Sequence, residues 1–412
     1  MDTELAHWLT GPQARSALAA AGASPVLDPV AAATQLAKSH PHLSGAQRAA
    51  VLQQAELRRV SSLDLMLTRA GLEQATDPLV ADRRAQILVS SGVSAVVDLT
   101  AGLGMDARAM VGHGLNVTCV ELDPVTAVLL EHNVPQATVI VADATDDGRI
   151  HELLKTAACA HKLALFVDPA RRPPGAQRTA DGTRAQSERD PMRWSPPLSW
   201  VLHLSRQHRG VIAAKVAPGL DPALVPDDWS MEWVSVDHTV REATLWHGVP
   251  GPPRRAAIYR GGRWLEFAGA PGSAASGQLE AFIAEPDPAL ISANLLGHVC
   301  DRLPGVHTIS DQSHWLTGPS PITDPQVRQV LRQYRVIDHL PSDARKLRMA
   351  LSARNVGEVT VKSRGAGVNA NALAQAVRGP GSLPATVVMV KTSRKLLSLL
   401  VEPLSEPSSG SN

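Results

Sequence analysis

Aromatic side chains are few in this 412-residue chain, with 3 Phe, 2 Tyr and 8 Trp, and Lys supplies only 8 of the 40 basic residues. Beside 30 Gly and 31 Pro, this reads as compositional bias rather than as a structural class. Cysteine is nearly absent. Cys119, Cys159 and Cys300 are widely spaced, odd in number and form no CxxC, which excludes a disulfide framework and a zinc ribbon and fits a reducing cytoplasm. The 15 His include no HExxH and no other ligand spacing, so no metal is expected. No run approaches the roughly 18 apolar residues of a membrane span. Asp2 and Glu4 stand where a secretory leader would be basic and then apolar, so a cytoplasmic protein without membrane attachment is expected.

What the chain does have is 44% hydrophobic and 19% charged residues, the make-up of a globular protein with length for two or three cores. Its net charge of +1 conceals a gradient. Residues 341–400 hold ten basic side chains (Arg345, Lys346, Arg348, Arg354, Lys362, Arg364, Arg378, Lys391, Arg394, Lys395) against Asp343 and Glu358, a net of +8. The remainder is about −7, so a mildly acidic body carries a basic C-terminal module, which is either a solvated face or a polyanion contact.

The apolar pattern divides the chain. Residues 1–88 form an N-terminal region whose second half, 45–88, has Ala49, Leu52, Ala55, Leu57 and Val60 at helical spacings. Within 89–248, short apolar runs each precede a turn and a helix-like stretch: Ala95-Val96-Val97, Val117-Thr118-Cys119-Val120, Ala137-Thr138-Val139-Ile140-Val141, Leu163-Ala164-Leu165-Phe166-Val167 and Val211-Ile212-Ala213-Ala214. Parallel strands buried on both faces read this way, so a βαβ series is expected, closed by an antiparallel hairpin over 229–247 that turns at Asp237-His238. Residues 257–340 read as a small domain of short strands with one helix at 287–300. Residues 341–400 read as helix, strand, helix, strand, and 401–412 as a disordered tail.

Each of the first four runs ends in an acid: Asp98, Glu121, Asp143 and Asp168, one βα unit apart. Ligands of open α/β sheets bind beyond the carboxyl ends of the strands, so these carboxylates line one crevice. S-adenosyl-L-methionine suits them. Gly102 and Gly104 let the backbone approach a ligand, Asp98 can hold an ammonium, Glu121 can accept two ribose hydroxyls, and Asp143 can accept an adenine amine. Thr100, Asp123 and Ala144 belong to the same three loops and complete the candidate cofactor site. A dinucleotide fold is the rival, because Gly102-Leu103-Gly104-Met105-Asp106-Ala107 also satisfies GxGxxG/A. Against it, Asp98 would face an anionic pyrophosphate, and the third and fourth acids would have no use.

The segments Val97-Asp98-Leu99-Thr100-Ala101-Gly102-Leu103-Gly104-Met105-Asp106, Asp168-Pro169-Ala170-Arg171-Arg172 and Lys215-Val216-Ala217-Pro218-Gly219-Leu220-Asp221 resemble those of bacterial class I methyltransferases with a THUMP-like C-terminal domain. Leu72-Glu73-Gln74-Ala75-Thr76 is similar to the stretch that precedes the cofactor loop there, which adds Gln74 to the cofactor site. The resemblance, over about 45–397, implies an α/β, class I (Rossmann-like) seven-stranded methyltransferase domain after an N-terminal helical segment. It further implies small α+β domains, ferredoxin-like and then THUMP-like, and RNA (tRNA or rRNA) as substrate and partner.

Asp168-Pro169 falls where many amino methyltransferases carry Asp/Asn-Pro-Pro-Tyr/Phe, whose first residue accepts an N–H of the exocyclic amine and whose aromatic stacks on the base. Asp168 and Pro169 are the catalytic candidates. Here Ala170 and Arg171 replace the second Pro and the aromatic, leaving a guanidinium to stack on the base or hold its phosphate. Residues 171–193 carry six Arg against three acids, a basic loop on the ligand side, and Arg171, Arg172 and Lys215 are the candidate substrate contacts. No Pro-Cys follows the fourth strand, so covalent C5-pyrimidine methylation lacks its nucleophile. The expected function is methylation of an exocyclic base amine in structured RNA. The alternatives are a small-molecule or protein methyltransferase and a non-catalytic RNA-binding protein that retains a cofactor pocket.

Overall fold

The computed structural model describes residues 1–24, 28–146, 148, 152–154, 162–171, 188–392 and 394–404. The chain divides into two compact units, Met1–Val216 with Thr244–Val249, and Ala217–Ala243 with Pro250–Asn412.

The first unit opens with helices α1 (Thr3–Thr10), α2 (Arg15–Ala23), α3 (Pro29–Ser39), α4 (Gly45–Ser61), α5 (Arg69–Gln74) and α6 (Pro78–Ser90). The helical texture of 45–88 is thus three helices. A capping box of Ser44 and Gln47 starts α4, which stops at Ser62 in the left-handed region, and Asp77 caps α6 with Pro78 in its first turn. The sheet follows: β1 (Ala95–Asp98), β2 (Asn116–Glu121), β3 (Thr138–Val141), β4 (Leu163–Val167) and β5 (Val211–Val216). Between them come α7 (Met105–Gly112), α8 (Pro124–Asn133) and α9 (Leu198–Gln207). Strand order is β3-β2-β1-β4-β5, with β1 parallel to both β2 and β4. The connections therefore reverse direction at β1, and the crevice beyond its carboxyl end is where open α/β sheets bind ligands.

Alternation along these strands sends Val96, Val117, Cys119, Ala164, Phe166 and Ala213 into one core with Ala85, Leu88, Ala107, Met110 and Leu130 of the helices. Each fully buried aliphatic or aromatic side chain there contributes about 1.5–3 kcal/mol. A second core gathers α1–α4 around Leu9, Val51 and Leu57 and takes in Leu103, Val128 and Leu129. The helical segment is thereby fastened to the loop after β1.

In the second unit, β6 (Trp229–Val236) turns through Asp237 and His238, both at positive φ (47° and 62°), into β7 (Thr239–His247), whose residues up to Ala243 belong to this unit; this is the geometry of a two-residue hairpin turn. β6 runs parallel to β8 (Arg254–Arg260), which pairs antiparallel with β9 (Arg263–Gly269). A seven-stranded sheet follows, built from β10 (Phe282–Pro286), β11 (His307–Thr308), β12 (Leu316–Gly318), β13 (Leu331–Leu340), β14 (Val356–Lys362), β15 (Leu383–Lys391) and β16 (Leu396–Pro403). Its order is β11-β12-β10-β13-β16-β15-β14.

The single helix expected at 287–300 is two, α10 (Pro288–Ser292) and α11 (Leu296–Cys300), because Asn294 adopts φ 54° and ends the first. In the basic module α12 (Ala344–Ser352) and α13 (Ala370–Val377) share a core with Val387 and Met389 of β15. The alternate residues Val388 and Val390 pack instead with Trp315 and Tyr334. β16 is a full strand over part of a segment that the sequence marks as strandless and then as tail.

Candidate functional site

The loop after β1 is sewn to both neighbouring strands: Leu99 N–H donates to Phe166 O (2.9 Å) and Ala101 N–H to Val120 O (3.0 Å). Gly102 (φ 55°) and Gly104 (φ 85°) turn it in the left-handed region that glycine alone enters freely. A Cβ at Gly102 would meet nothing within 4 Å, whereas one at Gly104 would lie 2.5 Å from Leu130 Cδ1. Gly102 therefore leaves space for a ligand, and Gly104 lets α7 pack on α8.

The loops bring together Asp98, Thr100, Gly102 and Glu121. Glu121 ends β2, and its Oε2 accepts Gly102 N–H at 2.8 Å while Oε1 accepts Asp123 N–H at 2.9 Å. Burial raises its carboxyl above the ordinary range. Asp98, at the end of β1, is 1% exposed, and Thr100 N–H donates to its Oδ1 at 3.2 Å. Burial pushes this carboxyl far up, and Asp106, Asp168 and Glu121 add to the effect. A buried acid surrounded by other acids is a seat for a cation.

The remaining cofactor candidates are Asp123, Asp143, Ala144 and Gln74. Asp123 is spent locally: it caps α8 through Val125 and Thr126 N–H and accepts the Thr126 hydroxyl at 2.6 Å. Asp143 is exposed beyond β3, where its Oδ1 accepts Thr145 N–H at 2.8 Å and the Thr145 hydroxyl at 2.7 Å, which lowers its carboxyl. Ala144 beside it is buried, and Gln74 is exposed at the end of α5.

Beyond β4, Asp168 N–H donates to Thr100 Oγ1 at 2.6 Å, so the Asp168 loop is tied to the glycine loop. Its Oδ2 accepts from Lys215 Nζ at 2.9 Å, and its Oδ1 accepts no hydrogen bond from any described residue. Lys215 comes from the fully buried β5 and is itself buried, so it meets Asp168 as a partner inside the site. Pro169 is buried, and Ala170 exchanges two backbone bonds with Ser195, at 2.7 and 3.0 Å. Arg171 is half-buried, with its carbonyl accepting Glu188 N–H at 2.7 Å. Arg172 and the centre of the basic loop lie outside the described residues.

The sequence reading missed three residues of this cluster: Thr76, Arg84 and Asp106. Thr76 Oγ1 donates to Asp106 Oδ2 at 2.6 Å and accepts from Lys215 Nζ at 3.0 Å. Arg84 pairs with Asp106 Oδ1, and its guanidinium lies 4.7 Å from the centre of the Phe166 ring. The signal was available, since Arg84 stands between Val80 and Leu88 on the buried stripe of α6. A cation placed there requires a buried acid.

Comparison with known proteins bears on the fold and the family likeness. A family described as THUMP domain-like matches residues 331–403. Two curated Mycobacterium tuberculosis proteins, from strains CDC 1551 and H37Rv and each called an uncharacterized S-adenosylmethionine-dependent methyltransferase, are 28% identical over 351 residues, 83% of this chain and 89% of theirs. A crystal structure assigned as a methyltransferase from Porphyromonas gingivalis superposes with a TM-score of 0.67 at 19% identity, covering 92% of this chain and all of that one, a likeness of fold. The chain is an α/β enzyme of the class I, Rossmann-like methyltransferase type. More particularly, it carries a THUMP-like region at its C-terminus, and the relatives it resembles over most of its length are named S-adenosylmethionine-dependent methyltransferases.

Proposed function

We propose that this enzyme methylates an exocyclic amine of a base in structured RNA, tRNA or rRNA, in the cytoplasm. The observation that carries the reading is the Asp168 carboxylate, with Oδ2 held by Lys215 and Oδ1 left as an acceptor beside the glycine loop. When bound, S-adenosylmethionine supplies a methyl group on a positively charged sulfur. Its cation fits the buried Asp98, its ribose hydroxyls fit the lone pairs that Glu121 retains after two backbone bonds, and its adenine amine fits Asp143. Gly102 leaves the space, exposed Gln74 is assigned to the cofactor, and Thr100, Asp123 and Ala144 belong to the surrounding loops.

Asp168 Oδ1 accepts one N–H of the amine, orienting the nitrogen lone pair and stabilising the charge that develops on nitrogen. Pro169 holds the turn. The Lys215 ammonium 2.9 Å away favours a neutral nucleobase amine over an alkylammonium, which would be repelled and would first have to lose a proton. Arg171 and Arg172 follow directly and are assigned to the base or its phosphate.

The basic module supplies the RNA contact, and its ten cations are not equivalent. Lys362 and Arg364 are bound to Glu285 at 2.8 and 3.3 Å, and Arg354 pairs with Asp338. Arg345, Lys346 and Arg348 are exposed on α12 and are assigned to phosphates. The reading is tested by incubating the enzyme with methyl-labelled S-adenosylmethionine and total cellular RNA and mapping the label by nuclease digestion and mass spectrometry. Label on a base amine is expected; label confined to protein or to small molecules overturns it.

A further inference from the structure

The acceptor carboxylate does not stand alone. Lys215 is a hydrogen-bond donor only, so Thr76 Oγ1 must accept from it at 3.0 Å, and the single hydroxyl proton of Thr76 must then go to Asp106 Oδ2 at 2.6 Å. Asp106 is fixed from its other oxygen by Arg84, which is buried on α6 against Phe166 of β4. The direction of every proton in the row Arg84, Asp106, Thr76, Lys215, Asp168 is therefore determined. Thr76 is 5% exposed and sits at the junction of α5 and α6, immediately before the Asp77 cap and Pro78, so its backbone is held by the start of a helix.

We propose that Thr76 is a positioning residue for methyl transfer: its hydroxyl fixes the Lys215 ammonium, which holds Asp168 Oδ2 and so turns Oδ1 toward the nucleophile. This rests on the reading of Asp168 as the amine acceptor. A side-chain hydroxyl suits this position, because its single oxygen accepts from Lys215 and donates to Asp106 at once. Valine has nearly the shape of threonine and does neither. Serine does both.

The test compares full-length wild type with Thr76→Val and Thr76→Ser in two independent measurements. In crystal structures with S-adenosylhomocysteine, the distance from Lys215 Nζ to Asp168 Oδ2 should lengthen past about 3.5 Å in Thr76→Val and persist in Thr76→Ser. In methyl transfer to RNA, kcat should fall about 10- to 100-fold in Thr76→Val, as for a misplaced reacting group, with the KM for S-adenosylmethionine unchanged and Thr76→Ser near wild type. Should Thr76→Val fail to fold, Thr76→Ala, which lacks the hydroxyl without adding bulk, carries the same two expectations. An unmoved Lys215 and Asp168 pair in the variant without the hydroxyl, or equal impairment of Thr76→Ser, overturns the proposal. If wild type labels no RNA, the assignment of the acceptor falls, and the crystallographic comparison still decides the role of Thr76.

Discussion

The backbone N–H of Asp168 donates to the hydroxyl of Thr100 at 2.6 Å, joining the loop after β4 to the loop after β1. These are the two strands between which the connections of the sheet change direction. Asp98, Thr100 and Asp168 are thus parts of one hydrogen-bonded rim, and substitutions in it separate into those that change the rim and those that change only what it binds.

Gly102 and Gly104 should separate in this way. Gly102→Ala places a methyl group in open space at φ 55°, at a strain of about 1–2 kcal/mol, so the protein should fold and lose cofactor affinity. Gly104→Ala meets Leu130 Cδ1 at 2.5 Å and Val134 Cγ2 at 2.7 Å, adding roughly 1–3 kcal/mol of overpacking to similar strain. Thermal melts beside calorimetric titration decide it. Full cofactor affinity in Gly102→Ala would remove this loop from the site.

Asp98 should make cofactor binding pH-dependent. Burial is the main cause of its raised carboxyl, with Asp106, Asp168 and Glu121 in support. A carboxyl raised in the folded state contributes stability below its unfolded value, and that contribution is lost as pH rises through the folded value. Asp98→Asn should therefore be more stable than wild type toward neutral pH, the difference shrinking in acid. A bound ammonium favours the ionised form, so binding should release a proton and tighten as pH rises over the same interval. Calorimetry in two buffers of different ionisation enthalpy reads that proton; its absence near neutrality argues that Asp98 meets no cation.

The basic module should divide according to how its cations are held. Replacing Arg345, Lys346 and Arg348 with Ala should weaken RNA binding and flatten its salt dependence, by roughly 0.7–0.9 in logarithmic slope for each phosphate no longer neutralised. Glu285 behaves differently: burial opposes its charge, yet the hydrogen bond and ammonium of Lys362 and the guanidinium of Arg364 hold its carboxyl below the ordinary range. Lys362→Met should then cost stability, a cost fully present above the unfolded carboxylate value and fading as pH falls through the folded one, with the RNA salt slope unchanged. Filter binding at several salt concentrations separates the two sets. Equal slopes in wild type and the triple variant would assign that face to solvent.

Much of this was legible because βα units repeat. Acids at the ends of buried runs located Asp98, Glu121 and Asp168 beside one another, since parallel strands bring their carboxyl ends to one edge. The partnership of Lys215 with Asp168 was not legible. It depends on β5 lying beside β4, whereas a lysine ending an apolar run reads equally as a contact for an anion. Arg84 was hidden by the Arg-rich composition, although its place on the buried stripe of α6 marked it. β16 was hidden because Pro and Ser follow it closely, while its partners β13 and β15 are set by the sheet.

Asp168 carries the last prediction. Asp168→Ala should lower turnover by about 10²–10⁴-fold, the scale of a positioned acid–base group, with cofactor affinity little changed. It also removes one acceptor from Lys215, which is 10% exposed, so the variant should melt below wild type. Lys215→Met should also lower turnover with cofactor affinity little changed, because Asp168 Oδ2 then loses the donor that orients its carboxylate. A purely structural Asp168 predicts otherwise: turnover would fall only as far as stability does, Asp168→Asn would stay near wild type, and Arg171→Ala would raise KM alone. A product methylated on ribose oxygen or on base carbon also removes the role, since neither nucleophile presents an N–H for Oδ1 to accept.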